Sequence, residues 1–310
     1  MAMPSLRMRG FWRNPLLRKE LRQRMRSLRT VLALSLYLIV TGVVAFTFMY
    51  VNVQGQTLLL QPTRTAELFT FLSYLQLALI SFVTPGIAAG VISGERERQT
   101  LPVLLTTPLS PWSVILTKWL TSISFLILLI LMTLPLYSIV FLFGGVVPSQ
   151  VLAVFVLQFI TMGAIASVSV FWSTFVQRTG WSTVLSYATV AAIFIGGTVI
   201  GYLMDTVAAH APDQTMWIDL GTAAYTINPI YMQASLETSL GFITPSFSNS
   251  LISSVFNTVQ VHDLMSRPAW LVYALFHVGG SLILLILSAW RLRPGTFQAF
   301  QKRIVRWFIR

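Results

Sequence analysis

The 310-residue chain contains no cysteine. Disulfides and thiolate metal sites are thereby excluded, while the redox compartment stays open. Charge is scarce: 10% of the residues are Asp, Glu, Lys or Arg and 55% are hydrophobic, whereas soluble domains carry roughly 25% charge. A water-soluble fold fits such a composition poorly. Acids are the rarer sign, nine against 21 Lys and Arg, for a net charge of +12. That excess would ordinarily raise nucleic acid as a partner. Here the basic residues lie in the two tails and one short loop, each beside an apolar span, a pattern suited to anionic lipid headgroups and not to nucleic acid. No G-x-x-x-x-G-K-[ST] phosphate loop, no repeat and no low-complexity linker occurs. A cleaved signal peptide is not expected either. The basic N-terminal region is too long, the apolar run after it exceeds an h-region, and no small-residue cleavage site follows.

Hydrocarbon about 30 Å thick, crossed at about 1.5 Å per residue, needs roughly twenty apolar residues. Six runs qualify: Val31 to Tyr50, Leu68 to Ile92, Trp112 to Phe143, Val151 to Val176, Thr183 to Leu203 and Trp270 to Trp290. They predict an all-α, polytopic membrane protein with six transmembrane helices, one domain over 1–310. Lys118 suggests that the first turns of the third run project from the bilayer, and Pro135 predicts a kink further on. With the N-terminus in the cytoplasm, 19 of the 21 Lys and Arg fall on that side. This asymmetry places both termini inside. The long segment 205–268 is then external and is expected to form short helices resting on the outer rim, with Phe242 to Val259 dipping back into the bilayer.

The spans show no Asp, Glu, Lys or Arg in their cores, which disfavours ion-coupled transport and voltage sensing. What remains for a pathway is weakly polar: Tyr74, Gln76, Ser81 and Thr84 with Pro85 in span two, and Ser186, Tyr187 and Thr189 in span five. Gln76 needs a partner in hydrocarbon, and an interhelical hydrogen bond is the simpler reading beside contact with cargo. An apolar lining favours hydrophobic or amphipathic cargo. Gly86, Gly90 and Gly94 in span two, and Gly197 and Gly201 in span five, let helix backbones approach closely. His277 with Ser167 or Ser186 would be needed for an intramembrane hydrolase, but no nucleophile-elbow pattern is present. The spacing of His210, His262, Asp213 and Asp263 fits no metal template, so no catalytic, cofactor or metal site is expected in the chain.

Two features flank the spans. In the 1–30 region, Asn14 and Pro15 start a helix. Leu17, Leu21, Met25 and Leu28 then form one stripe, and Arg22, Arg26 and their basic neighbours cover most of the rest. Such a helix lies in the interface between bilayer and water. After span two comes Ser93-Gly94-Glu95-Arg96-Glu97-Arg98-Gln99-Thr100-Leu101-Pro102-Val103-Leu104-Leu105-Thr106-Thr107-Pro108-Leu109-Ser110-Pro111. Leu101, Leu104 and Leu105 make a small apolar face at i, i+3, i+4, and Ser110 with Pro111 starts the next helix. That face is expected to find nothing of its own chain to bury against, and suits a groove on another protein.

This segment resembles the stretch after the second span in type 2 ATP-binding cassette (ABC) transporter permeases. The carriers are Glu95-Arg96-Glu97-Arg98-Gln99-Thr100-Leu101, the Thr-Pro-Leu-Ser stop at Thr107 to Ser110, and Ile115-Leu116-Thr117-Lys118. Two positions depart: Gln99 stands where the family usually has Gly, and Pro102 where it has Glu. The resemblance implies the membrane subunit of an ATP-driven exporter in a prokaryotic plasma membrane. It pairs this chain with a second permease, alike or not, and with two cytoplasmic ABC ATPase subunits that bind ATP and Mg. Segment 94–111 would be the coupling helix seated on the ATPase, through Glu95, Arg96, Glu97, Arg98, Thr100, Leu101, Leu104 and Leu105. The glycines of spans two and five would then pack within one subunit or at the permease–permease interface. An ATPase-independent scaffold or channel-like protein is the alternative, with the hydrolase third.

Overall fold

The computed structural model describes residues 22, 28–53, 62–102, 110–142, 146–211, 215–239 and 269–293. All regular structure among them is helical: α1 Leu28–Val53, α2 Pro62–Ala88, α3 Ser93–Glu97, α4 Pro111–Met132, α5 Leu134–Leu142, α6 Pro148–Phe175, α7 Thr179–Ala191, α8 Gly197–Ala208, α9 Thr215–Ile227, α10 Pro229–Ser239 and α11 Ala269–Arg291. Five stretches are long and apolar enough to cross a bilayer, and they coincide with expected spans two to six. The first expected span falls in α1, where Ser35–Thr47 is a shorter apolar stretch.

Local chemistry sets several boundaries. Ser110 caps α4 by accepting from the Ser113 amide at 3.2 Å, with Pro111 at the first helical position, as the sequence predicts. The third apolar run divides at Thr133 because Pro135 has no N–H and its ring would meet the carbonyl four residues back. Thr133 donates to the Ile130 carbonyl at 2.6 Å across this break. Lys118 is buried in α4 and bonded to Glu95 at 3.0 Å.

The bundle is organised around α6, which packs against α2, α4, α7, α10 and α11. Buried Thr161, Ser167, Ser169, Ser173 and Thr174 keep its surface small on several sides. Small side chains let neighbouring backbones come close where hydrophobicity offers no preference between protein and lipid. The main core joins α2, α4, α5 and α6, and a smaller one gathers Leu157, Tyr225, Tyr231, Met232 and Tyr273.

Span five is α7 and α8 joined by a π-helical turn, Ala192–Gly196. The wider turn is served from outside the helix. Asn228 Nδ2 donates to the Phe194 carbonyl at 2.6 Å and to Thr198 Oγ1 at 2.9 Å, while Asn228 Oδ1 accepts from the Ile230 amide and opens α10. After α8 the chain returns as α9, pressed against it: Tyr225 donates to Asp205 Oδ2 at 2.9 Å.

The expectation that segment 205–268 rests on the rim is corrected for α10. This helix packs on α2, α6 and α11, burying Tyr231, Met232, Gln233, Ala234, Ser235 and Glu237. The tight α8–α9 return and the Asn228–Pro229 corner turn the chain inward, so polar residues enter the bundle from a segment that reads as external. Phe242 to Val259 lies outside the described residues.

Candidate functional site

Pro85 removes one amide from α2, which ends at Ala88, and a turn leads into α3. Neighbouring helices hold that turn. The amides of Ile92 and Ser93 donate to Ser173 Oγ on α6 at 2.9 and 3.0 Å, and Ser182 on α7 donates to the Ala89 carbonyl at 2.8 Å. Three consecutive charged side chains then reach three different spans. Glu95 accepts from Lys118 Nζ on α4 at 3.0 Å and from the Thr100 hydroxyl. Arg96 donates to the carbonyls of Val176 and Thr174, at 2.8 and 3.0 Å, where α6 ends. Glu97 accepts from the Thr179 amide at 2.7 Å and the Thr179 hydroxyl at 2.8 Å, where α7 begins.

The signs match the helix ends. A cation serves the bare carbonyls of a C-terminus, and a carboxylate serves the bare amides of an N-terminus. The last span reaches the same end of the bundle, where Arg291 sits 5.5 Å from the centre of the Phe175 ring.

The turn after α3 closes as a Schellman motif, with Gln99 N donating to the Arg96 carbonyl and Thr100 N to the Glu95 carbonyl. Its left-handed position is Gln99, at φ 58°. This gives the departure at 99 a physical meaning: glycine is the residue that adopts such a conformation without strain. The turn also corrects the expectation of a free apolar face, because it carries Leu101 into the main core, fully buried. Leu104 and Leu105 lie outside the described residues. Arg98 and Thr100 are exposed, whereas Glu95, Arg96 and Glu97 bond within the subunit. Of the expected interfacial helix, Leu17, Leu21, Met25 and Arg26 lie outside the described residues; Arg22 is exposed, and Leu28 opens α1.

The expected pathway residues mostly face their own chain. A Cβ on Gly86 would stand 3.1 Å from the Tyr187 hydroxyl, and on Gly90 3.1 Å from the Thr179 methyl. On Gly197 it would meet the Ala224 carbonyl at 3.1 Å, and on Gly201 the Tyr225 ring at 2.5 Å. Tyr187 donates to the Phe82 carbonyl at 2.8 Å, while buried Thr84 bonds back to Ile80. Gln76 accepts from Tyr137 at 2.7 Å, an interhelical bond. Tyr74 is half-buried, beside the cluster described below. Ser167 and Ser186 donate into their own helices, and His277 Nδ1 lies 3.1 Å from the Tyr273 carbonyl, so neither serine is bonded to the imidazole. Asp213, His262 and Asp263 lie outside the described residues.

Sequence reasoning missed the polar cluster where α10 enters. Glu237 has no exposed surface, so a carboxyl of the segment that reads as external lies inside the bundle. Its Oε1 lies 2.6 Å from Ser73 Oγ on α2, and Gln233 Nε2 donates to both, at 3.0 Å to Ser73 and 2.9 Å to Glu237. Gln158 Nε2 on α6 donates to the Ser73 carbonyl at 3.0 Å. The sequence signal was the pair Gln233 and Glu237, four apart on a helix opened by Asn228 and Pro229.

Compared with known proteins, residues 15–294 match a family model described as ABC-2 family transporter protein. No curated protein matches the chain.

Proposed function

The chain belongs to the ABC-2 transporter family, a membrane component of ABC transporters, and from that premise we propose that it is the membrane-spanning subunit of an ATP-driven exporter. One observation carries the reading. Glu95, Arg96 and Glu97 tie the end of span two to spans three, four and five, immediately before the segment that leads to Leu104 and Leu105. A push on that segment reaches several stiff helices together, which is the requirement for turning closure of a motor into movement of a bundle.

Two cytoplasmic ABC ATPases supply the motor and bind ATP and Mg, and a second permease, alike or not, completes the pathway. The uneven distribution of Lys and Arg supports both termini in the cytoplasm, and the resemblance to permeases whose ATPase is a separate chain supports a prokaryotic plasma membrane. Apolar spans favour hydrophobic or amphipathic cargo. Exposed Trp181, Val184, Ile195 and Val199 leave span five available to lipid or to the second permease. Co-purification of the tagged chain with its ATPase tests the reading. Leu104→Asp should abolish the association and ATP-dependent transport while membrane insertion persists. Normal assembly of that variant would remove the coupling role from segment 94–111, and purification without any ATPase would sink the exporter.

A further inference from the structure

Four polar contacts meet at Ser73 and Glu237. Ser73 Oγ lies 2.8 Å from the Thr70 carbonyl and 2.6 Å from Glu237 Oε1; Gln233 Nε2 lies 3.0 Å from Ser73 Oγ and 2.9 Å from Glu237 Oε1. Each contact needs a hydrogen. The serine hydroxyl supplies one and the glutamine amide supplies two. With Glu237 ionised, one oxygen–oxygen contact is left without any. A proton on the carboxyl supplies it, and every contact is then satisfied.

Solvation points the same way. Among the described residues no hydrogen bond of ordinary length reaches buried Glu237 Oε2; the Thr70 hydroxyl beside the carboxyl and the groups bonded to Oε1 are all neutral. A bare ionised oxygen in such surroundings costs far more than a bare carbonyl oxygen. Burial disfavours the charged form, while the neutral donors Ser73, Gln233 and Thr70 favour it without offsetting burial. Thr70 and Tyr74 on α2 and Tyr137 on α5 stand near it, and α6 contributes the neutral amide of Gln158. Further along α2, Glu67 is itself an acid. On α9 and α11 the titratable groups are engaged elsewhere, Tyr225 with Asp205, Tyr273 with Thr161, and His277 with the Tyr273 carbonyl.

We propose that Glu237 is a proton-binding site inside the bundle: its carboxyl keeps a proton on Oε1 and donates it to Ser73 Oγ, which frees the serine hydroxyl for the Thr70 carbonyl. The ligand is a proton taken from water, and no other group changes charge. The neutral acid seats α10 on α2, and the Gln158 bond to the Ser73 backbone extends the seat to α6. None of this depends on an ATPase partner.

Infrared spectroscopy of the full-length protein in lipid nanodiscs tests the proposal. At about pH 7, where a solvated glutamate is ionised, the wild type should show the carbonyl stretch of a protonated carboxyl, and Glu237→Gln should lack it. The band should bleach only on going to alkaline pH. A wild-type spectrum without it, or a band that survives Glu237→Gln, would overturn the assignment. Should that variant fail to insert, Ser73→Ala decides: loss of the acceptor moves the band to higher frequency, and an unmoved band overturns the proposal.

Discussion

The two ends of span two are fastened by opposite means. Where α2 passes into α3, Glu95, Arg96 and Glu97 hold three neighbouring spans through charged groups that are partly or fully in reach of water. Nearer its other end, Ser73 meets α10 and α6 through groups with no exposure. Charged contacts in water are individually weak and are remade at little cost. Close-packed interiors have discrete arrangements and resist gradual deformation. The first kind suits a joint that must give and return, the second a fixed wall against which it moves.

The sharpest way to break this contrast is to overfill a packed interior, that of α8 against α9. A side chain at Gly201 has nowhere to go, because even a Cβ would stand 2.5 Å from the Tyr225 ring. Gly201→Leu should cost about 3 kcal/mol, the upper part of the range for overpacking. Thermal unfolding of the purified protein reads it. A variant as stable as wild type would mean that α8 and α9 separate freely and that the wall is not rigid.

At the charged end the expected effect is smaller and depends on salt. Arg96→Ala leaves the Thr174 and Val176 carbonyls without their donors. Hydrogen bonds to a charged group are worth roughly 1.5 to 3 kcal/mol, and screening at this half-exposed site brings the expected loss to about 1 to 2 kcal/mol. The gap between wild type and variant should narrow at about 1 M salt, where the screening length is about 3 Å. A gap that ignores salt would assign Arg96 to packing by its stem and remove the electrostatic half of the comparison.

How much of this was readable follows from where each cause lies. Spans two to six, the Ser110–Pro111 start and the break near Pro135 were legible because each is dictated within a few residues of itself. The charged motif was visible too, but its partners Thr174, Val176 and Thr179 lie about eighty positions away, and nothing local marks a carbonyl as needing an arginine. Leu101 was misread for the same reason: its spacing with Leu104 and Leu105 describes a face, whereas the reversal at Gln99 decides where it points. Glu237 escaped because a segment with Pro, Asn and acids reads as short helices on the outer rim. Only the close return of α9 along α8 and the Asn228 corner carry it inward.

The gentlest change belongs to that reversal and carries the opposite sign. Gln99 holds a left-handed backbone at φ 58° in the Schellman turn that joins the charged brace to Leu101. A residue with a Cβ carries roughly 1 to 2 kcal/mol of strain there, and glycine carries almost none, though it loses more entropy on folding. Gln99→Gly should therefore stabilise the protein by about 0.5 to 1 kcal/mol, while Gln99→Ala, with the Cβ kept, should give no such gain. Thermal unfolding of the two variants side by side separates backbone strain from loss of the glutamine amide. Equal effects from glycine and alanine would show that the side chain, and not the turn, governs this corner. A less strained corner with unchanged ATP-dependent transport would in turn place the yielding part of the joint in the charged contacts and not in the backbone that links them.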